Sequence, residues 1–400
     1  VRQTQTQPTG THPAAELLRW RNAVFLVFFS CGLALASWMS RVPHIRDVLG
    51  ASTAEMGVLA VAIAIGSISG MVGSSHVVAR LGARRTMLVF VTILSVGVVI
   101  AGIGASLASF WVLFGGLVIL GLGLGTTDVA MNVSAAACEQ RLHRTLMPLF
   151  HALFSVGTMV GAGLGALAEL WQVPVVVHVG VLNLACLVAV WLTNRFIGHE
   201  LEGVGDDTGG TVADRLAVWK QPLTWLLGLI ILGMALAEGS ANDWLALAMV
   251  DGHNQSNTQG AISLGVFLTA MTVGRVLGIR LLDRFGRVPV LRGSAVLAAL
   301  GLTAVIFLSH PVAVTIGIVA WGLGSALGFP VGMSAAADDL KTAAARVSAV
   351  ATIGYVAFLG GPPLIGFLGQ QVGLLRALLV VLVFIGVAGL VSPAARERRP

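Results

Sequence analysis

Residues 86–105 read TMLVFVTILSVGVVIAGIGA, twenty positions without one charged side chain. Coiled as an α-helix at about 1.5 Å per residue, such a run is about 30 Å long, the thickness of a bilayer's hydrocarbon core. Outward from it the pattern repeats. Apolar stretches of similar length, separated by short polar loops, are predicted over 22–40, 54–79, 86–105, 110–137, 145–168, 174–196, 222–249, 257–282, 288–308, 311–337, 345–369 and 373–391. In lipid a spanning backbone has only itself to bond with, so twelve helices are the solution this pattern dictates. Composition agrees: 56% of residues are hydrophobic and 10% charged, with mean hydropathy +0.90. A soluble domain carries about 25% charged residues.

The calculated pI of 10.2 invites a nucleic-acid reading, and the position of the charges removes it. With the amino terminus in the cytoplasm, 20 of the 24 Lys and Arg fall on the cytoplasmic side, among them Arg80, Arg84, Arg85, Arg144, Arg280 and Lys341. Arg41, Arg46 and Arg376 lie opposite, and Arg275 sits inside a span. This is the positive-inside bias of a membrane protein with both termini cytoplasmic, and no nucleic-acid partner is needed. Arg exceeds Lys by 22 to 2, which points to a bacterial host and its cytoplasmic membrane. The first span follows Arg19-Trp20-Arg21 as a signal peptide would, yet the charge pattern requires that it be retained. Cys31, Cys138 and Cys186 have neither metal nor disulfide spacing, so no metal site or cofactor is expected.

The chain divides into a disordered cytoplasmic tail over 1–19, a six-helix bundle over 20–196, a polar cytoplasmic linker over 197–221, a second six-helix bundle over 222–391 and a cytoplasmic tail over 392–400. The bundles repeat one another. Arg80-Leu81-Gly82 recurs as Arg284-Phe285-Gly286, Gly121-Leu122-Gly123 as Gly322-Leu323-Gly324, and Ser134-Ala135-Ala136-Ala137 as Ser334-Ala335-Ala336-Ala337. Offsets of 204, 201 and 200 residues imply two pseudo-symmetric halves in an all-α membrane protein. Transporters built from such repeats bind their cargo near the midplane and rock one half against the other.

These motifs make the chain resemble the major facilitator superfamily from end to end. Asp283-Arg284-Phe285-Gly286-Arg287 matches the superfamily's signature turn. Ser40-Arg41-Val42-Pro43-His44-Ile45-Arg46, Asp128-Val129-Ala130-Met131-Asn132, Met147-Pro148-Leu149-Phe150-His151, Glu238-Gly239 with Asp243-Trp244, and Gly361-Pro362-Pro363 resemble the YbjJ-type branch, related to proton-coupled fucose permeases. The resemblance implies a cytoplasmic gate built on Asp283, Arg284, Gly286 and Arg287, with Arg80, Gly82 and Arg84 as its counterpart. There the signature Asp is replaced by Ala79, so that latch is weaker. The antiporter Pro of drug exporters is missing from the fifth span.

A carboxyl group inside a span costs about 3 kcal/mol on insertion scales and persists where a partner, a cavity or a function holds it. At 100° per residue Gly121, Gly125, Asp128 and Asn132 share one stripe of the fourth span, either as a polar lock between helices or as a protonatable site. The resemblance favours the second, since the related permeases have a coupling acid in that helix. His151 lies at a comparable depth on a stripe with Ser155 and Thr158, placing it to pair with Asp128 and to join Asp128 and Glu238 in proton coupling. Packed as an ordinary core histidine, it would do neither.

Glu238, with Asn242 a turn further on and then Asp243 and Trp244, faces the cavity from the seventh span. Arg275 stands in the eighth where the repeat has Met71, and adjacency predicts an ion pair with Glu238, structural or cargo-binding. Trp38, Trp244 and Tyr355 with Phe358 supply an apolar wall for a ring-shaped ligand, although interfacial belts explain the two tryptophans equally well. Gly161-Ala162-Gly163-Leu164-Gly165-Ala166 mimics a dinucleotide fingerprint but lies within a span.

The reading is a monomeric secondary transporter that moves a small polar, sugar-like solute with protons through the lipid bilayer, with Asp128, Asn132, Trp38, Asn242 and Arg275 at its centre. Proton-driven efflux of a drug or secondary metabolite is the alternative. An enzyme or a receptor on this scaffold lacks the clustered reactive groups or the soluble output domain it would need.

Overall fold

The computed structural model describes residues 13–142, 146–198, 217–339 and 342–397, with no strand among them. Residues 1–12 of the expected tail, 199–216 of the expected linker, Arg144 and Lys341 lie outside the described residues. Among the described residues twelve helices are long and apolar enough to cross a membrane: α1 Ala15–Met39, α2 Thr53–Ser74, α3 His76–Ser106, α4 Phe110–Leu142, α5 Leu149–Leu170, α6 Val175–Phe196, α7 Pro222–His253, α8 Asn257–Phe285, α9 Arg287–Phe307, α10 Pro311–Ala336, α11 Ala345–Val372 and α12 Leu374–Ala395. An even number of spans puts both termini at one face, here the terminal face. The opposite one is the far face.

Helix α1 starts earlier than expected. Its first turn begins at Pro13, inside the stretch read as a tail, because Ala14-Ala15-Glu16-Leu17-Leu18 propagates helix readily behind a proline. Trp20 anchors that extension: it is buried, and its indole donates to Ser134 Oγ of α4 at 2.9 Å.

The duplicated turn has a backbone reason. Helices α2 and α3 form one continuous helical run, Thr53–Ser106, broken only at Gly82 with φ 73° and ψ 156°. Between α8 and α9 Gly286 has φ 74° and ψ 173°. This region is essentially closed to residues with a Cβ, so each half needs glycine at the bend. The repeat extends to features that motif comparison misses. Ser52 and Glu55 form a capping box at the start of α2, and Ser256 and Gln259 form one at the start of α8, again 204 residues apart.

Contacts follow the same symmetry. Within the halves α1 packs on α5 and α3 on α6, as α7 packs on α11 and α9 on α12. Across the halves α5 meets α8 and α2 meets α11. At the far face the two halves are bonded: Arg46 to Asp251, Asn257 Nδ2 to Asp47 at 2.9 Å, and the Thr53 amide to Gln370 at 3.2 Å. At the terminal face Glu139 accepts from the Leu146 and Met147 amides at 2.5 and 2.7 Å, and Arg287 Nη1 bonds Asp338 at 2.6 Å. Arg346 Nη2 bonds Gln221 there at 2.7 Å, and each of these bonds stays within its own half.

Candidate functional site

At the midplane the halves meet through side chains. Arg275 of α8 donates from Nη2 to both carboxylate oxygens of Glu238 in α7, at 2.9 and 3.1 Å, and from Nη1 to Ser155 Oγ of α5 at 3.4 Å. Both members of the pair keep partial exposure, 31% for the Arg275 side chain and 18% for Glu238, so the pair lines accessible space. Across the pseudo-symmetry Tyr355 of α11 donates to Met71 Sδ of α2 at 3.2 Å. Met71 and Arg275 are repeat equivalents at 204 residues, and Ser155 and Tyr355 at 200. One junction is therefore polar and charged where its mate is apolar, and the asymmetry between the halves is concentrated at Arg275.

Asp128 and Asn132 are half-buried on α4, with Asn132 Nδ2 donating to the Asp128 carbonyl at 2.8 Å and its Oδ1 at 3.4 Å. Gly121 and Gly125 on the same stripe press against the α2 backbone at Ile63 and Ser67, where a Cβ would collide. The stripe therefore docks α4 on α2. Asp128 stands just past that contact, within electrostatic reach of Tyr355.

Asp128 and His151 are not bonded to each other. Helix α5 docks on α1, its Gly157 against Phe29 and Gly161 against Leu33, while α4 docks on α2. The two helices diverge, and the His151 ring is exposed and meets Phe28 edge-on at 5.3 Å. Equal depth does not bring them together.

In α7 the chain makes a π-turn over Ala241–Leu245. The wider turn shifts the phase of the residues that follow it, whereas Asn242, at its start, stays one turn beyond Glu238. Trp38 and Trp244 are buried, 4% and 1% exposed, and not interfacial. Both line a small cavity with Asp243. Phe358 lies over Gly239.

At the terminal face Asp283 is exposed and accepts no hydrogen bond among the described residues. Arg284 stacks over Phe285, and the Arg287 guanidinium reaches Asp338 and Ser334 Oγ at the end of α10. Arg80 is exposed and Arg84 half-buried.

Sequence reasoning missed Glu169. It is buried at the far end of α5, 3.1 Å from Arg41 and 3.1 Å from His44 Nδ1. Arg41 is wholly buried and also donates to the Val173 carbonyl at 2.8 Å. Burial pushes its guanidinium below the ordinary arginine value, and Glu169 pulls it back up. Nearby, burial opposes the charge of Arg46, but hydrogen bonds to Asp251 and Asp47 hold it above that value. The signal was available: arginines that break the positive-inside bias need acids on the same face. Away from these polar groups, a crevice of about 650 Å³ between α5 and α8 is lined by Met159, Ala162, Leu167, Ile262, Val266 and similar side chains.

The Major Facilitator Superfamily family model matches residues 24–357 and 244–400. A Yersinia pestis protein described as an MFS-type transporter is 32% identical over 350 residues, 86% of this chain and 88% of that protein. Among solved structures, a bacterial homologue of the human lysosomal transporter Spinster, inward-facing and unoccupied, aligns with TM-score 0.76 and 15% identity over 98% of this chain and 100% of its own. The Escherichia coli fucose:proton symporter FucP aligns with TM-score 0.67 and 14% identity, covering 94% and 98%.

Proposed function

The chain belongs to the Major Facilitator Superfamily of membrane transporters, and from that premise we propose that it moves a small polar, sugar-like solute together with protons across a bacterial cytoplasmic membrane. The observation that carries this reading is the junction of Arg275, Glu238 and Ser155 at the midplane, where both halves contribute to one partly open polar site. Arg275 presents donors suited to hydroxyl or anionic groups, and Glu238 accepts from a hydroxyl when a solute loosens the pair. Asp128 has no cationic partner among the described residues, and a carboxyl group so placed inside a span is favoured in its neutral form, which suits it to coupling. His151, exposed and one turn from Ser155, exchanges protons with water beside the Arg275–Glu238 junction.

The bonded far face and the within-half bonds at the terminal face support an inward-open state, with the termini cytoplasmic. Glu238, Asn132, Tyr355 and Phe358 serve as cargo contacts, and Arg287 with Asp338 braces the gate turn. One observation favours a second reading: the apolar crevice between α5 and α8 suits entry of a lipophilic drug or secondary metabolite for efflux.

A thermal-shift screen of the purified protein against sugars, polyols, nucleosides and lipophilic cations separates the two, because a ligand that binds only the folded state raises its stability. Stabilisation by a sugar or polyol that Arg275→Gln abolishes supports the first reading. Stabilisation by lipophilic cations alone sinks it.

A further inference from the structure

Asp243 stands in a place that the midplane site does not explain. The π-turn of α7 presents it to a cavity of about 30 Å³, room for one water, closed by Trp38 and Met39 of α1, Val42, Met56, Leu59 and Ile63 toward α2, and Leu117 of α4. Every wall except α7 belongs to the first half, so the cavity is a seam between the halves. No lining residue other than Asp243 is titratable, and none offers a side-chain oxygen. Titratable groups on the surrounding elements are engaged elsewhere: Arg41 and His44 with Glu169, Arg46 with Asp47 and Asp251, Glu55 with Ser52, Glu238 with Arg275, and Asp128 with Asn132. Tyr355 is held on Met71.

We infer that Asp243 is a second proton-carrying site, neutral while the far face is closed and ionised when that face opens. The geometry supplies the switch. When the halves part at the far face, α1 and α2 withdraw from α7 and the carboxyl group meets water; when they close, the same half-buried group enters a mostly apolar seam with no countercharge, which favours its protonated form. A metal ion is the wrong occupant, since hard cations take about six oxygen ligands and the lining supplies a single carboxyl. The inference extends the proton-coupled reading and rests on it for its role in transport, but it is tested without a cargo.

Spin labels on Leu107→Cys and Leu308→Cys, exposed at the far ends of α3 and α9, report separation of the halves in nanodiscs when Cys31, Cys138 and Cys186 are replaced by Ala. The closed state binds the proton and the open state releases it, so raising the pH favours opening, by up to about tenfold in the equilibrium constant per pH unit. Wild type is expected to open at the far face between pH 5.5 and 8.5. Asp243→Asn, which mimics the neutral acid and suits the closed seam, is expected to stay closed throughout, and Asp243→Glu to keep the response. In an Asp128→Asn background the part of the response that depends on Asp243 is expected to persist and to vanish when Asp243→Asn is added, which separates failure of this inference from failure of coupling at Asp128. An unchanged pH response in Asp243→Asn, or no response in wild type, overturns the inference.

Discussion

Gly82 and Gly286, 204 residues apart in the chain, hold the same backbone conformation, φ 73° and 74° with ψ 156° and 173°. The superfamily's signature turn is thus a conformational requirement repeated in both halves, which survives in the first half although the signature Asp has become Ala79. Arg287 is held by Asp338 and not by Asp283, so the acid of the motif is free of that brace.

Gly82→Ala and Gly286→Ala are each expected to destabilise the folded protein by about 1–3 kcal/mol, the cost of forcing a Cβ into this region. Gly293→Ala, where an added methyl meets open space, is expected to be neutral or slightly stabilising. Thermal unfolding in detergent distinguishes them, and equal behaviour of all three variants contradicts the backbone argument.

Glu238→Gln removes the charge that compensates Arg275, leaving it neutral acceptors only, and is expected to cost about 1–3 kcal/mol, less than a fully buried pair because both side chains are partly wet. The double variant Glu238→Gln with Arg275→Gln should recover much of the loss. A double-mutant cycle by thermal shift reads the coupling, and simple additivity would mean that the pair is incidental.

Glu169→Gln strands the wholly buried Arg41, and a loss of about 3–5 kcal/mol is expected. His44→Ala should cost less, since His44 is half exposed. A Glu169→Gln protein as stable as wild type would show that the far-face cluster bears little of the fold's stability.

Arg46→Ala removes a guanidinium that binds Asp47 in its own half and Asp251 in the other. With the native cysteines replaced by Ala, it is expected to raise the reactivity of a cysteine placed at Val42, which lines the seam between the halves, toward a membrane-impermeant maleimide several-fold, because the far face opens more often. Unaltered reactivity contradicts a clasp at this point.

The twelve spans were legible because lipid leaves the backbone one solution and hydropathy records it directly. Adjacency likewise pointed to the Glu238–Arg275 pair. Asp128 and His151 illustrate the limit: helical phase gives the face a residue shares, but the partner depends on where each helix docks, and glycines press α4 on α2 and α5 on α1. The π-turn over Ala241–Leu245 leaves no periodic trace in the sequence, so the wider turn beside Asp243 appears only in the structure. Trp38 and Trp244 read as belt or cavity until packing buried them. Asp338 and Glu169 lie far in sequence from the arginines that need them, and only the packed fold names the pairs.

The most direct test is accumulation of a labelled solute, chosen as the sugar or polyol that most stabilises the purified protein, in proteoliposomes under an imposed proton gradient. Wild type should accumulate it above equilibrium, and Asp128→Asn should lose accumulation while still exchanging solute between compartments. Undiminished uphill accumulation in Asp128→Asn would contradict proton coupling through that carboxyl group.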